Sequence, residues 1–267
     1  MTAPNAMRVV LLRGLMREHG HWGSFPDQLA LQLQVPRDQV LTPDLPGNGW
    51  LHQQPSPTRL AGNLDAIRWQ LRQAWGEQAG PVHVLALSMG GMVATQWAHQ
   101  HPTELASMTL VSSSMRPFSP FWDRLQPGLW PAIGKVIWHH ADAQRIEQLI
   151  LSATANAATP GLLADWVAIR RQRPVSVGNA LRQLWAAARY RAPDTPPPVP
   201  CLVLSGQADR VVHPRCSAAI AKAWGARHFS HPDAGHDLPI DAPAWLMARW
   251  CDFLDLNELL PRPAGAH

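Results

Sequence analysis

The chain has almost no lysine. Lys135 and Lys222 are the only two, against twenty-one arginines, and the formal net charge is +4. The basic residues are scattered, with one cluster in "IRRQRP" (Arg170, Arg171 and Arg173). No basic stripe is interleaved with aromatics and no DNA-binding motif occurs, so a nucleic-acid partner is not expected. The arginine cluster reads first as a solvated helix face, and second as a docking site for an acidic partner. Cysteine is also scarce. Cys201, Cys216 and Cys251 show no zinc-ligand spacing, and an odd count fits no closed disulfide framework. They read as small buried hydrophobes. The pairs His139-His140 and His99-x-His101 lack a third ligand in sequence, so no metal is expected. No apolar run approaches the ~18 residues of a membrane helix, and no membrane partner is expected. The opening "MTAPNAM" has neither the basic nor the apolar region of a signal peptide, which implies a cytoplasmic protein. Charged residues make up only 16% of the chain while hydrophobic ones make up 46%, a balance that excludes disorder and supports a sizeable core.

Within that frame, strand and helix patterns alternate. "RVVLLRG" holds a first strand over Val9–Leu12, and a helix follows in "HWGSFPDQLALQLQ". A second amphipathic helix begins at Ser56-Pro57, with Leu60, Leu64, Ile67, Leu71 and Trp75 spaced by three or four. A continuously apolar strand, Val82–Leu87, then leads into its helix, and "ASMTLVSSS" forms the next buried strand. Alternation of this kind predicts a mostly parallel sheet of about six strands with helices on both faces. Only about seven residues precede the first strand, too few for an antiparallel hairpin ahead of it.

After Ser114 the alternation stops. Residues 115–190 contain helical segments and no strand pattern, and they carry Trp122, Trp130, Trp138, Trp166 and Trp185. The proline-rich "RAPDTPPPVP" closes this stretch, and strands and helices resume beyond it. The chain therefore divides into an α/β core, 1–114 and 191–267, and an inserted helical cap, 115–190. The cap tryptophans are expected in its core first and over a ligand pocket second.

The segment "HVLALSMGGMVAT" places Ser88 at a sharp reversal from strand to helix, followed by two glycines. "LSGQADRVV" sets Asp209 just past the next strand after the insertion, and "HPDAGHDLP" sets His236 just past the strand after that. Side chains at the carboxyl ends of parallel strands converge on one crevice. The order Ser, Asp, His is that of a hydrolase triad. In such a triad the imidazole takes the serine proton, and the carboxylate fixes the imidazole tautomer.

With "ALSMGG", "DLPGNG", "SGQADRVV" and "AGHDLPIDAP" in this order, the chain resembles the α/β-hydrolase family over nearly its whole length. It is most similar to the capped branch of esterases, carbon–carbon hydrolases and pimeloyl-ester esterases. Two positions depart from the family pattern. Ala86 stands where the G-x-S-x-G elbow has its first glycine, and Arg13-Gly14 stands where His-Gly is usual. The resemblance implies Ser88, Asp209 and His236 as catalytic residues, with the backbone N–H groups of Leu15 and Met89 as the oxyanion hole. Asp44 reads as a structural turn residue, and Arg13 as the partner of a nearby carboxylate.

The resulting expectation is a cofactor-free serine hydrolase. It would cleave esters of small to medium apolar acyl groups through an acyl-enzyme on Ser88. A carbon–carbon hydrolase, thioesterase or acyltransferase could use the same residues, and a ligand-binding receptor on a hydrolase fold is the alternative outside catalysis. The resemblance to pimeloyl-ester esterases further suggests an acyl carrier protein as partner, received by Arg145, Arg170, Arg171 and Arg173.

Overall fold

A computed structural model describes residues 7–77, 80–138 and 142–260, apart from the side chains of 136–138. Six strands form one sheet: β1 (Val9–Leu12), β2 (Val40–Leu41), β3 (Val82–Leu87), β4 (Leu105–Val111), β5 (Cys201–Gly206) and β6 (Arg227–His231). Their order is β2-β1-β3-β4-β5-β6, and every neighbouring pair is parallel. Strands buried on both faces can be apolar throughout; β1 and β3 are buried along their whole length and apolar apart from His83. The order reverses direction after β2, so β1 and β3 flank the switch point where crevices open at strand ends. The expectation of no hairpin before β1 falls on residues 1–6, which lie outside the described residues.

Helices cover both faces of the sheet. On one side α2 (Leu60–Trp75), α3 (Met89–Gln100) and α9 (Arg215–Trp224) enclose a core that includes Leu64, Val93, Trp97 and Ile220. On the other, α1 (Phe25–Gln32) and α11 (Pro243–Leu256) bury Phe25, Leu29, Leu246 and Trp250 against Leu85 and Leu204. Helix α2 starts at Leu60 rather than at Ser56. Ser56 is instead drawn into a buried loop, where its hydroxyl donates to Pro46 O at 2.7 Å and its N–H to Asn179 Oδ1 at 2.9 Å. A hydroxyl committed to tertiary partners is not available as a helix cap.

Between β4 and β5 stand α4 (Phe121–Arg124), α5 (Trp130–Trp138), α6 (Ala143–Thr154), α7 (Leu162–Gln172) and α8 (Val177–Arg189). These helices add no strand to the sheet among the described residues. The three cysteines are free, with Cys216 buried and Cys201 and Cys251 half-buried. His139 and His140 lie outside the described residues. No described helix is long and apolar enough to cross a membrane.

The sheet core and its rim differ sharply in what a truncation should cost. Leu204 is fully buried and Leu31 is 81% exposed. Leu204→Ala should lower unfolding free energy by about 2–5 kcal/mol. Leu31→Ala should change it by about 0.5 kcal/mol or less, both read from urea-denaturation midpoints.

Candidate active site

The site is built from backbone approach before any side chain is placed. Ser88 ends β3 and precedes α3 with φ 57° and ψ −121°, a conformation outside the ordinary regions for an L-residue. Such a residue persists only where its surroundings fix it, at a cost of about 1–3 kcal/mol. Ser88 N–H donates to Val111 O at 2.9 Å, which pins the turn to β4. A Cβ on Gly90 would stand 2.6 Å from Leu12 O and 2.8 Å from Arg13 O, so α3 starts in backbone contact with the end of β1. Ala86 is fully buried, and its single methyl fits where the related motif has glycine.

The loop after β1 lies directly against the serine. A Cβ on Gly14 would meet Ser88 Cβ at 2.9 Å and Oγ at 3.3 Å. Leu15 follows, and its N–H has no acceptor among the described residues; nor does that of Met89, the first residue of α3. An unpartnered N–H at a helix start carries partial positive charge. Met16, at φ 59°, turns the chain away and gives its own N–H to Gln183 Oε1 of α8 at 2.9 Å.

Asp209 and His236 are brought together. His236 Nδ1 donates to Asp209 Oδ2 at 2.8 Å, and both residues are buried. The second carboxylate oxygen accepts from Val211 N at 2.7 Å and Val212 N at 2.9 Å. Asp209 therefore caps its own loop as well as orienting the imidazole. The two loops are tied by backbone bonds, Gln207 N–H to His231 O and Ala208 N–H to Ala234 O. Burial opposes charge on the His236 ring, but Asp209, through its charge and its hydrogen bond, with Asp237 adding to it, more than offsets that, and the pKa is raised above 6.5. Ser88 is half-buried, and no hydrogen bond joins its hydroxyl to His236 among the described residues. Catalytic contacts in unliganded enzymes are often long and tighten when substrate arrives.

Several ion pairs organise this site, and the carboxylate expected beside Arg13 is Asp237. Arg13 forms a two-pronged pair with Asp237, at 2.9 and 2.6 Å, so the loop beside Ser88 is tied to the residue after His236. Arg13 also stacks over Trp22, 4.9 Å from the ring centre. Arg17 donates to Glu147 of α6 at 2.7 Å and lies over the Trp166 ring. Arg170 of α7 pairs with the same buried Glu147. Glu18 accepts from Arg173 Nε at 2.9 Å. Arg17 also donates to His21, whose pKa is held well below 6.5 by burial first and by Arg17, Arg13 and Arg170 next.

The "IRRQRP" cluster is accordingly not a uniformly solvated face. Arg170 is buried and Arg173 is internally paired, leaving Arg171 exposed, with Arg145 also at the surface. Of the tryptophans in the insertion, Trp166 is buried, whereas Trp122, Trp130 and Trp185 are exposed; the side chain of Trp138 is outside the described set. Asp44, as expected of a structural residue, accepts from His19 N–H at 2.8 Å and Trp50 N–H at 3.0 Å.

The model of the alpha/beta hydrolase family matches residues 9–249. The chain belongs to that family. Among solved structures, the enol-lactonase from Burkholderia xenovorans LB400 superposes with a TM-score of 0.76 at 20% identity, covering 96% of this chain and 94% of that one. A thermophilic esterase from Thermogutta terrifontis gives a TM-score of 0.71 at 21% identity, covering 96% and 92%. At these identities the likeness is one of fold. The biotin biosynthesis bifunctional protein BioHC of Teredinibacter turnerae is 28% identical over 138 residues, which are 52% of this chain and 21% of that protein. The chain thus spans about a fifth of the length of that curated relative.

The Arg13–Asp237 pair is buried on both sides, so removing one partner leaves a bare charge. Asp237→Asn should destabilise the protein by about 3–5 kcal/mol, while the double substitution Arg13→Met with Asp237→Leu should recover most of that loss. Chemical denaturation of the three variants beside wild type measures it.

Proposed function

We propose that this hydrolase-family member is a cofactor-free serine esterase of the capped branch. Ser88 is its nucleophile, His236 its base and Asp209 the acid that orients the base. The observation that carries the reading is the buried Asp209–His236 hydrogen bond, joined through the Arg13–Asp237 pair to the loop in which Gly14 packs against a serine held at a strained strand–helix reversal. In the first step Ser88 Oγ attacks the ester carbonyl while its proton passes to His236 Nε2. The carbonyl oxygen gains the negative charge, and the N–H groups of Leu15 and Met89 receive it. Collapse expels the alcohol, which takes the proton from His236, and leaves the acyl group on Ser88. Water, deprotonated by His236, then attacks that acyl group, and the adduct collapses to the acid as Ser88 Oγ leaves and takes the proton back from His236. Each oxyanion donor contributes roughly 3–4 kcal/mol in enzymes of this mechanism.

Small to medium apolar acyl esters remain the proposed substrates. The exposed positions of Trp122, Trp130 and Trp185 give no support to a pocket roofed by those rings, so the acyl preference rests on the family resemblance. An acyl carrier protein would meet Arg145 and Arg171 but not Arg170 or Arg173, and a small-molecule ester is the substrate we favour.

A panel of p-nitrophenyl esters from acetyl to palmitoyl tests this reading, with a fluorophosphonate probe reporting the nucleophile. Wild type should be labelled and should turn over best on butyryl to octanoyl esters. Ser88→Ala should abolish labelling and lower kcat by at least a thousandfold, as loss of a triad member does in serine hydrolases. Labelling that survives in Ser88→Ala would move the nucleophile elsewhere.

The pH dependence has a definite sign. His236 must be neutral to accept a proton, and its raised pKa means it stays protonated to higher pH than an ordinary histidine. The acid limb of kcat/KM should therefore have its midpoint above 6.5. Because the Asp237 charge contributes to that rise and Arg13 opposes it, Asp237→Asn should shift the limb to lower pH. A limb that stays in place would mean another group controls it.

A further inference from the structure

Helix α5 has a composition that water does not favour. Its sequence, "WPAIGKVIW", contains one charged residue in nine positions. A helix apolar all round belongs in a core or in lipid, yet α5 lies at the molecular surface with Trp130 47% exposed. Two neighbouring rings are equally bare: Phe121 is 61% exposed and Trp122 49%. Phe121 touches both tryptophans. Phe121 lies parallel to Trp130 with centroids 6.1 Å apart, and meets Trp122 edge-on at 5.1 Å. They form a continuous aromatic patch rather than isolated surface residues.

The patch continues onto α8 through a groove of about 650 Å³ lined by Arg116, Phe121, Arg124, Ala188 and Arg191. Trp185, three residues before Ala188, is 53% exposed and carries the Arg189 guanidinium over its ring at 5.2 Å. The exposed charge on this surface is mostly positive. From Arg116 to Lys135 the single acidic residue is Asp123, which is buried and paired with Arg215. Helix α8 contains none at all. Arg116, Lys135, Arg189 and Arg191 are exposed around the rings, and the nearest opposing carboxylate in this sector, Asp194, stands 3.5 Å from Arg191.

We infer that the face formed by α4, α5 and α8 docks on an anionic lipid surface. Tryptophans with an apolar body and a polar edge settle at the boundary between headgroups and acyl chains. An apolar helix can lie there with its rings about 5–10 Å deep, and each nearby basic residue adds attraction to anionic headgroups. The expectation that no membrane partner exists rests on the lack of a spanning helix, and docking on a surface makes no such demand. The face also borders the candidate site: Gln126, between α4 and α5, donates to Asp209 O at 2.8 Å and to Val211 O at 3.0 Å. Docking here would bring lipid-dissolved molecules close to the Asp209 loop.

Vesicle co-sedimentation of the full chain tests the inference without reference to turnover. The probes are vesicles of phosphatidylcholine alone and of phosphatidylcholine mixed with phosphatidylglycerol. Wild type should sediment with the mixed vesicles, bind the neutral ones more weakly, and be released as salt rises. The double substitution Trp122→Ser with Trp130→Ser, at exposed positions that should not disturb folding, should weaken partitioning by about tenfold or more. Arg189→Glu with Arg191→Glu should remove the preference for anionic lipid. Failure of wild type to sediment with the anionic vesicles would overturn the inference. So would concentration-dependent self-association lost in the tryptophan double variant, because the face would then belong to a second copy of the chain.

Discussion

The reversal at Ser88 is the constraint on which the surrounding structure depends. A serine at φ 57° and ψ −121° is held only if strand, helix and neighbouring loop approach more closely than side chains normally allow. That requirement explains why glycine stands at 14 and 90, where a Cβ would strike Ser88 or the backbone of β1. It also explains why the residue two before the serine is no larger than alanine. The same approach places the loop of Gly14 and Leu15 and the start of α3 at Met89 next to the serine, where the proposed mechanism would draw its oxyanion donors.

The second organising element is a set of buried arginine–carboxylate pairs, which gives part of the arginine content a structural role. Arg13, Arg17, Arg170 and Arg173 each face a buried carboxylate, two of them through paired N–H groups. A guanidinium offers several donors in a rigid plane and is less strongly hydrated than an ammonium, so it can be buried against a carboxylate where lysine could not satisfy the same geometry. These pairs run from the loop after β1 to α6, to α7 and to the histidine loop. The inserted helices are thereby anchored to the loop that carries Leu15. A hinged lid would need such contacts to break, at the cost of exposing or orphaning charge.

Most of the architecture was legible because it follows from local patterning. The first strand, the β3–α3 junction and the strand before Asp209 are apolar runs bounded by glycine or turn residues, whereas β6, RHFSH, is legible only from its place in the alternation. The candidate residues were legible because each follows the end of a strand. The pairing of Arg13 with a carboxylate was legible too, but the partners were not, since Arg13–Asp237 spans 224 positions and Arg17–Glu147 spans 130, and no periodicity connects residues that far apart. The start of α2 was misread for a related reason. Ser-Pro is a good local helix start, but Ser56 is claimed by Pro46 and Asn179 in three dimensions. The tryptophans of the insertion carried the same ambiguity: ring size predicts burial on average, and only packing reveals that Trp166 stacks under Arg17 while Trp122, Trp130 and Trp185 face outward.

These placements divide the insertion by chemistry. Helices α6 and α7 face the loop after β1 with Glu147, Arg170 and Trp166, and the C-terminal end of α6 holds the histidine loop as well, since Thr154 O accepts from Asp237 N–H at 2.8 Å. Helix α8 shares in this inward task through Gln183 and Asn179 while turning Leu181, Trp185 and Arg189 outward. Its two faces therefore answer to different demands: the inner one fixes the loop beside Ser88, and the outer one is free of that geometry. A substitution on the outer face can change what the protein meets without moving the serine, whereas one on the inner face alters the loop and every group that loop positions.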